Sequence, residues 1–411
     1  MGAMPDPSAQ RREPVEASTA LNLCLLLGRI LFNFGATTQR IQDSTALLAR
    51  HLGYKADMLV SYDSLLITVS DGATSLTSID SSHRFPALDL LGLVRVSHLL
   101  QGLARSQRTP EELEHALCAI RDAPPSHSVP SQVLAAGCAG AAFCTVNGGD
   151  PLSWICSFIA AAFIFAIRRP IAVRNFNFHL AVFTIAFAGS LLAGMLALIT
   201  QTTTPAIALV APVLFLVSGV PMINGGIDIV RNHVTIGIAR VGFTQAVLFA
   251  LCLGVGLTLR VLPFDMGPPY SPPGSWEILL TSIAGALGAG ALAWLGNGGI
   301  QLAALCALGG STGRLVRALV SLGGLDVITA SLIGAVCSTL VVSALAERRR
   351  WPGVVAAVMA VLPMVPGYFA IHGVRLLLSF AVSRRGVLPG SRTSRRWRHE
   401  PLLAKTSSRG Q

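Results

Sequence analysis

The sequence predicts an α-helical polytopic membrane protein, with about ten transmembrane helices in two inverted five-helix repeats and an N-terminal α+β cytoplasmic domain. Three observations carry this expectation. The 411 residues are 52% hydrophobic and 12% charged, with a mean hydropathy of +0.62, whereas soluble domains are about a quarter charged. Charge is unevenly placed: residues 1 to 130 hold 13 of the 20 acidic residues, leaving seven carboxylates for the other 281 positions. Two pairs of similar segments also recur about 150 residues apart.

Residues 1–16 read as a disordered N-terminus. "RREPVEASTALNLCLLLGRILFNFGA" has the arginine pair and apolar run of an export signal, but Asn22 and Arg29 interrupt the run and no small-residue cleavage site follows. Leu23, Leu26, Leu27, Ile30 and Leu31 instead fit one face of an amphipathic helix. The cytoplasmic α+β domain spans 17–122. Its elements are helices at 17–34 and 37–52, strands near 54–61, 64–70 and 74–80, and helices at 87–105 and 109–121. The β-branched alternation of "LLITVS" and the Asp71-Gly72 turn specify the strands. The Pro/Ser-rich "DAPPSHSVPSQ" holds the linker, 123–130.

From residue 130 the hydropathy resolves into spans near 130–147, 151–167, 178–200, 205–222, 239–261, 277–295, 299–320, 325–346, 353–366 and 367–383, given ~17 to 25 residues per crossing. They form a first five-helix unit (131–262), an extracytoplasmic loop (263–276) and a second unit (277–383), followed by a basic cytoplasmic tail (384–411). Basic clusters at Arg168/Arg169/Arg174, Arg231/Arg240, Arg348/Arg349/Arg350 and the tail fall on one side if residue 130 starts in the cytoplasm, which makes both termini cytoplasmic. Arg314 and Arg317 are the exception. The net charge of +11 is concentrated in the tail, where anionic lipid explains it without nucleic acid.

An odd number of helices per half inverts the second half relative to the first. "NGGDPLSWIC" (147–156) matches "NGGIQLAALC" (297–306) at an offset of 150, and "VAPVLFLVSGVPMINGG" (210–226) aligns with "VMAVLPMVPGYFAIHGV" (358–374) at an offset of 148. In such repeats, helices broken at corresponding positions point to a transport site near the bilayer midplane. Ser218 to Gly226 and Pro366 to Gly373 are the expected breaks. Ordinary turns at helix ends are the plainer alternative.

"FGATTQRIQDSTALLARHLGY", the "NGGD" ahead of a helix, "SGVPMINGGIDIVRNHVTIGIAR" and "LPMVPGYFAIHG" together resemble the threonine/serine exporter family over nearly all of residues 17–383. The matching positions are Gly35, Ala36 and Arg40 in the first domain, then Gly148, Gly149, Asp150, Gly219, Pro221, Asn224, Asp228, Gly237, Arg240, Pro366 and Gly367. Ser218 departs from the family's usual proline, and Tyr62-Asp63 from its Thr/Pro/Gly-rich stretch. The resemblance implies a multi-pass secondary transporter of the bacterial cytoplasmic membrane. It also implies export of small amino acids coupled to the proton-motive force, with some relatives handling dicarboxylates such as succinate. The expected partners are lipid, a small polar metabolite and protons, and a homo-oligomer is left open.

Substrate binding or coupling is expected at Ser218, Gly219, Pro221, Asn224, Asp228, Pro366, Gly367, His372 and Arg375, because broken helices offer free N–H and C=O groups to a zwitterion. Asp228 reads either as a proton carrier or ammonium ligand, or as a loop residue paired with Arg231. Arg375 reads as a midmembrane charge able to approach Asp228 across the pseudo-symmetry axis, or as a snorkelling side chain. Asn147, Gly148, Gly149, Asp150, Arg240, Asn297, Gly298 and Gly299 are expected in structural or gating roles, Asp150 as a helix cap and Arg40 as a surface or interdomain contact. The competing reading is a membrane-anchored enzyme or sensor, with Asp57, Asp63, Asp71, His83 and Arg84 as candidates by residue type alone. Neither a nucleotide loop, a metal-ligand cluster nor a catalytic triad stands out. No cofactor is therefore expected, and the eight scattered cysteines read as small buried residues.

Overall fold

The computed structural model describes residues 15–81, 88–103, 108–172, 177–216, 219–262, 264, 274–349, 351, 353–364 and 373. The N-terminal part contains α1 (Ala17–Asn33), α2 (Thr38–His51), β1 (Lys55–Val60), β2 (Leu65–Ser70), β3 (Ser75–Asp80), α3 (Leu90–Leu103) and α4 (Pro110–Arg121). The strands form one antiparallel sheet in the order β1-β2-β3. Leu65, Ile67 and Val69 of β2 face inward and meet Leu23, Leu27, Ile30 and Leu31 of α1, as the two periodicities require. Asp71 closes the second hairpin by accepting the backbone N–H groups of Ala73 and Thr74, and Gly72 takes a φ of +94°. Thr109 and Glu112 form a reciprocal capping box ahead of α4, with Pro110 at its first position.

The helical bundle follows: α5 (Val129–Val146), α6 (Pro151–Ala172), α7 (Phe178–Thr200), α8 (Pro205–Val210), α9 (Gly219–Val230), α10 (Val234–Val261), α11 (Ser275–Leu295), α12 (Ile300–Leu322), α13 (Val327–Arg348) and α14 (Gly353–Val361). Among the described residues seven helices are long and apolar enough to cross a membrane, or eight if the bent α8–α9 pair counts as one span. The expected span at 353–366 is a nine-residue α14 followed by a 3-10 turn at Leu362–Met364. The expected span at 367–383 lies outside the described residues.

The fourth expected span requires a correction. The chain leaves α-helical geometry at the 3-10 segment Ala211–Leu216, and Gly219–Val230 is regular α-helix whose axis is turned by 59°. The described part of the expected break, Gly219 to Gly226, is thus helical, and Ser218 lies outside the described residues. Within Asn-Gly-Gly, Gly225 is what lets α9 approach α10 closely. A Cβ on Gly225 would lie 2.9 Å from the Gly237 carbonyl oxygen, and one on Gly237 would lie 2.8 Å from that of Gly225.

Among the described residues, three large buried clusters organise the molecule, beside a small one at Cys156, Ala197 and Ala208. One fills the N-terminal part and takes in Ile236 of α10. A second lies among α5, α6, α7, α8 and α10. The third, among α11, α12, α13 and α14, takes in Leu90 of α3. The N-terminal part is therefore packed against both halves of the bundle at one of its ends.

Candidate functional site

The α1–α2 turn carries "GATT", residues 35 to 38, and Gly35 has the left-handed φ of +80° that lets the chain reverse there. This turn docks on the α9–α10 hairpin. Asp228 of α9 is fully buried and accepts from the Thr38 backbone N–H at 3.1 Å and the Thr38 hydroxyl at 3.0 Å. Arg240 of α10 donates to the same carboxylate at 2.8 Å through Nη1 and to the Ala36 carbonyl at 3.1 Å through Nη2. Asn224, one helical turn before Asp228, donates to the Gly35 carbonyl at 2.8 Å. Tyr62 completes the contact, its ring centroid 5.9 Å from that of Phe243.

The first-domain motif and the α9 motif are thus halves of one buried polar junction. Asp228 is engaged by Thr38 and Arg240, while Arg231 is exposed, so the expected Arg231 pairing is replaced by a longer-range one. Thr38 was missed, because nothing in its local sequence distinguishes it from Thr37. Arg40 does not join the junction: it donates to the Leu93 carbonyl and Ser97 hydroxyl of α3 within the N-terminal part. Burial lowers its pKa to about 10.

The two Asn-Gly-Gly segments form equivalent turns. Gly149 N–H donates to the Cys144 carbonyl and Gly298 N–H to that of Ala293, at 2.9 and 2.8 Å. The hydrogen bonds align at an offset of 149, one less than the letters suggest. Accordingly Gly148 (φ +84°) and Asn297 (φ +59°) occupy the same left-handed position. Asp150 caps α6 by accepting from Ser153 N–H, and it also accepts from Thr202 and Thr203 of the turn between α7 and α8. Partial burial pushes the Asp150 carboxyl up, but these hydrogen bonds outweigh it and hold the group below the usual carboxylate range. At the second turn a carboxylate from another part of the chain does comparable work: Asp89 accepts from the Asn297 amide at 2.8 Å, and Leu90 N–H donates to the Gly296 carbonyl at 2.9 Å. His127 stacks on Trp294 with centroids 3.7 Å apart and bonds the Gly298 carbonyl. Gly299 starts α12 without a side chain to cap it.

The two helices that end in 3-10 segments are matched as well. α8 and its 3-10 extension run from Pro205 to Leu216, and α14 with its extension from Gly353 to Met364, so both ends of the two elements differ by 148. Leu362, in the 3-10 turn after α14, lies directly against Gly219 at the start of α9. Pro221 sits in the first turn of α9, where its missing N–H costs nothing. Ser218, Pro366, Gly367, His372 and Arg375 lie outside the described residues, as do His83 and Arg84. Among the described residues no group of three or more His, Cys, Asp or Glu side chains could hold a metal.

The family described as "Putative threonine/serine exporter" matches residues 22–262, and "Threonine/Serine exporter, ThrE" matches residues 280–385. The chain is 27% identical over 241 residues to the "Probable succinate transporter subunit YjjP" of Escherichia coli, covering 58% of this chain and 93% of that protein. It is 22% identical over 404 residues to the "Probable threonine/serine exporter" of Mycobacterium tuberculosis, covering 92% of this chain and 74% of that one. No solved structure matches.

Proposed function

Because the chain belongs to the threonine/serine exporter family, we propose that it exports threonine, serine or a similar small polar metabolite across the bacterial cytoplasmic membrane, driven by the proton-motive force. As a member of that family it is a multi-pass membrane transporter and not an enzyme. The observation that carries the site is the packing of Leu362, in the 3-10 turn that ends α14, against Gly219, where α9 begins after its bend. Helix ends there would offer N–H groups to a carboxylate and carbonyls to an ammonium.

The remaining architecture belongs to the same proposal. Ten spans form two inverted five-helix repeats, supported by the equivalent turns at Gly149 and Gly298 and the matched 3-10 segments. Both termini and the 17–122 domain are cytoplasmic. That domain clamps the end of α9 through Asp228, so a tilt of α9 at its bend is coupled to its position. Protons are the coupling ion.

A second reading, export of dicarboxylates, is favoured by the relative named a succinate transporter subunit. Efflux from cells preloaded with a panel of amino acids and dicarboxylates separates the two. Export of threonine and serine above the empty-vector rate supports the first; export of succinate alone replaces it with the second.

A further inference from the structure

The N-terminal part docks on both halves of the bundle, each time through the first residue of a helix. Thr38 begins α2 and gives its N–H to Asp228 of α9 at 3.1 Å, while Leu90 begins α3 and gives its N–H to the Gly296 carbonyl, between α11 and α12, at 2.9 Å. One buried cluster joins α1 to α4 and the sheet, so both contacts are carried by a single packed body.

The two contacts are unequal. At the first, Thr38 donates twice to a carboxylate that is 0% exposed, Arg240 donates to Ala36 and Asn224 donates to Gly35. At the second, Asp89 accepts from the neutral amide of Asn297, and both residues are half-buried. A parting there leaves Asp89 still accepting from the Gly92 N–H at 2.9 Å and leaves Asn297 open to water. Hydrogen bonds to charged groups that are shut away from water are the costlier to break. Packing supplies the rest of the second contact: Leu90 is buried in the cluster of α11 to α14, and a Cβ on Gly296 would lie 2.8 Å from the tip of Leu88. Ser126 and His127, which bond Asn297 and Gly298, lead directly into α5 and belong to the bundle side. The equivalent turn at Gly149 takes its carboxylate, Asp150, from its own loop; the turn at Gly298 borrows one from a separate body.

We propose that the N-terminal domain is a latch that holds α11 and α12 against α9 and α10, and that it opens at Asp89 and Leu90 while Thr38 stays on Asp228. This rests on the transport reading above, in which one repeat moves against the other, and it adds the contact that parts. A single body fixed to both halves would block that movement.

The test compares the two N–H groups by hydrogen exchange in the wild-type full-length protein in lipid vesicles, each corrected for its intrinsic rate. The Leu90 amide should exchange faster than the Thr38 amide by about tenfold or more. Equal protection, or faster exchange at Thr38, overturns the latch. A second arm oxidises the Leu88→Cys/Gly296→Cys variant, with oxidised wild type as the control for the native cysteines. Cross-linked protein should lose flux of threonine or succinate by about tenfold or more and regain it on reduction. Undiminished flux in fully cross-linked protein overturns the latch and spares the transport reading. Wild-type protein that moves neither compound removes the transport reading, and the exchange contrast then decides the latch alone, as it does if the variant forms no disulfide.

Discussion

Asp228 and Arg240 form an ion pair at 2.8 Å with side chains 0% and 8% exposed. They face each other across the α9–α10 hairpin, and Thr38, 190 residues earlier than Asp228, donates twice to the same carboxylate. One buried charge thereby holds α2, α9 and α10 together.

Removing that charge should be costly. Asp228→Asn leaves the Arg240 guanidinium buried without its countercharge, and losing one partner of a buried pair costs about 3 to 5 kcal/mol. Thermal unfolding should show a clearly lowered midpoint, and the double variant Asp228→Asn/Arg240→Gln should lose less than the two single losses combined. Additive losses would mean that the pair is not coupled.

Thr38→Val keeps the shape and the backbone N–H bond but deletes the hydroxyl donor to Asp228. A hydrogen bond to a charged group contributes about 1.5 to 3 kcal/mol. Hydrogen exchange should accelerate in residues 35–40 and in α9 more than in β1 to β3. Uniform acceleration across the chain would argue against a local junction.

Gly225 and Gly226 are adjacent in α9 but should respond oppositely. A side chain at Gly225 meets the Gly237 carbonyl, whereas nothing lies within 4 Å of a Cβ on Gly226. Gly225→Ala should reduce the amount of folded protein in the membrane. Gly226→Ala should leave it unchanged or raise stability by up to about 1 kcal/mol through helix propensity. Fluorescence-detected size exclusion of both variants checks the contrast.

Asp150→Ala removes the α6 cap and the bonds to Thr202 and Thr203, an expected loss of about 1 to 3 kcal/mol. The folded-state pKa of Asp150 is depressed. Its contribution is therefore complete above the unfolded value, near pH 4, and disappears as pH falls through the folded one. The gap in melting temperature between wild type and Asp150→Ala should hold from pH 7 to pH 5 and narrow in strong acid.

The parts of this structure legible in the sequence are those whose cause is local. The alternation around Ile67 and Val69, the Asp71-Gly72 turn and the Thr109/Glu112 box each lie within a few residues of what they specify. The expected break at Asn-Gly-Gly failed because that tripeptide has two uses: it can loosen a helix or let another helix approach. Only Gly237 in α10 reveals that the second applies. Letter identity set the Asn-Gly-Gly offset at 150, yet Asn297 adopts the left-handed conformation that Gly148 adopts in the first turn, which moves it to 149. The Thr38–Asp228 contact spans 190 residues, and no local pattern encodes it.

In the proposed function the chain moves threonine, serine or a similar small polar metabolite out of the cell through its helical bundle. The most direct measurement is flux of labelled threonine in vesicles reconstituted with purified protein, with and without an imposed pH gradient. Flux should exceed that of protein-free vesicles, rise with the imposed gradient and return to the gradient-free rate when the gradient is collapsed. Intact, correctly folded protein that moves neither threonine nor serine under any gradient would contradict it.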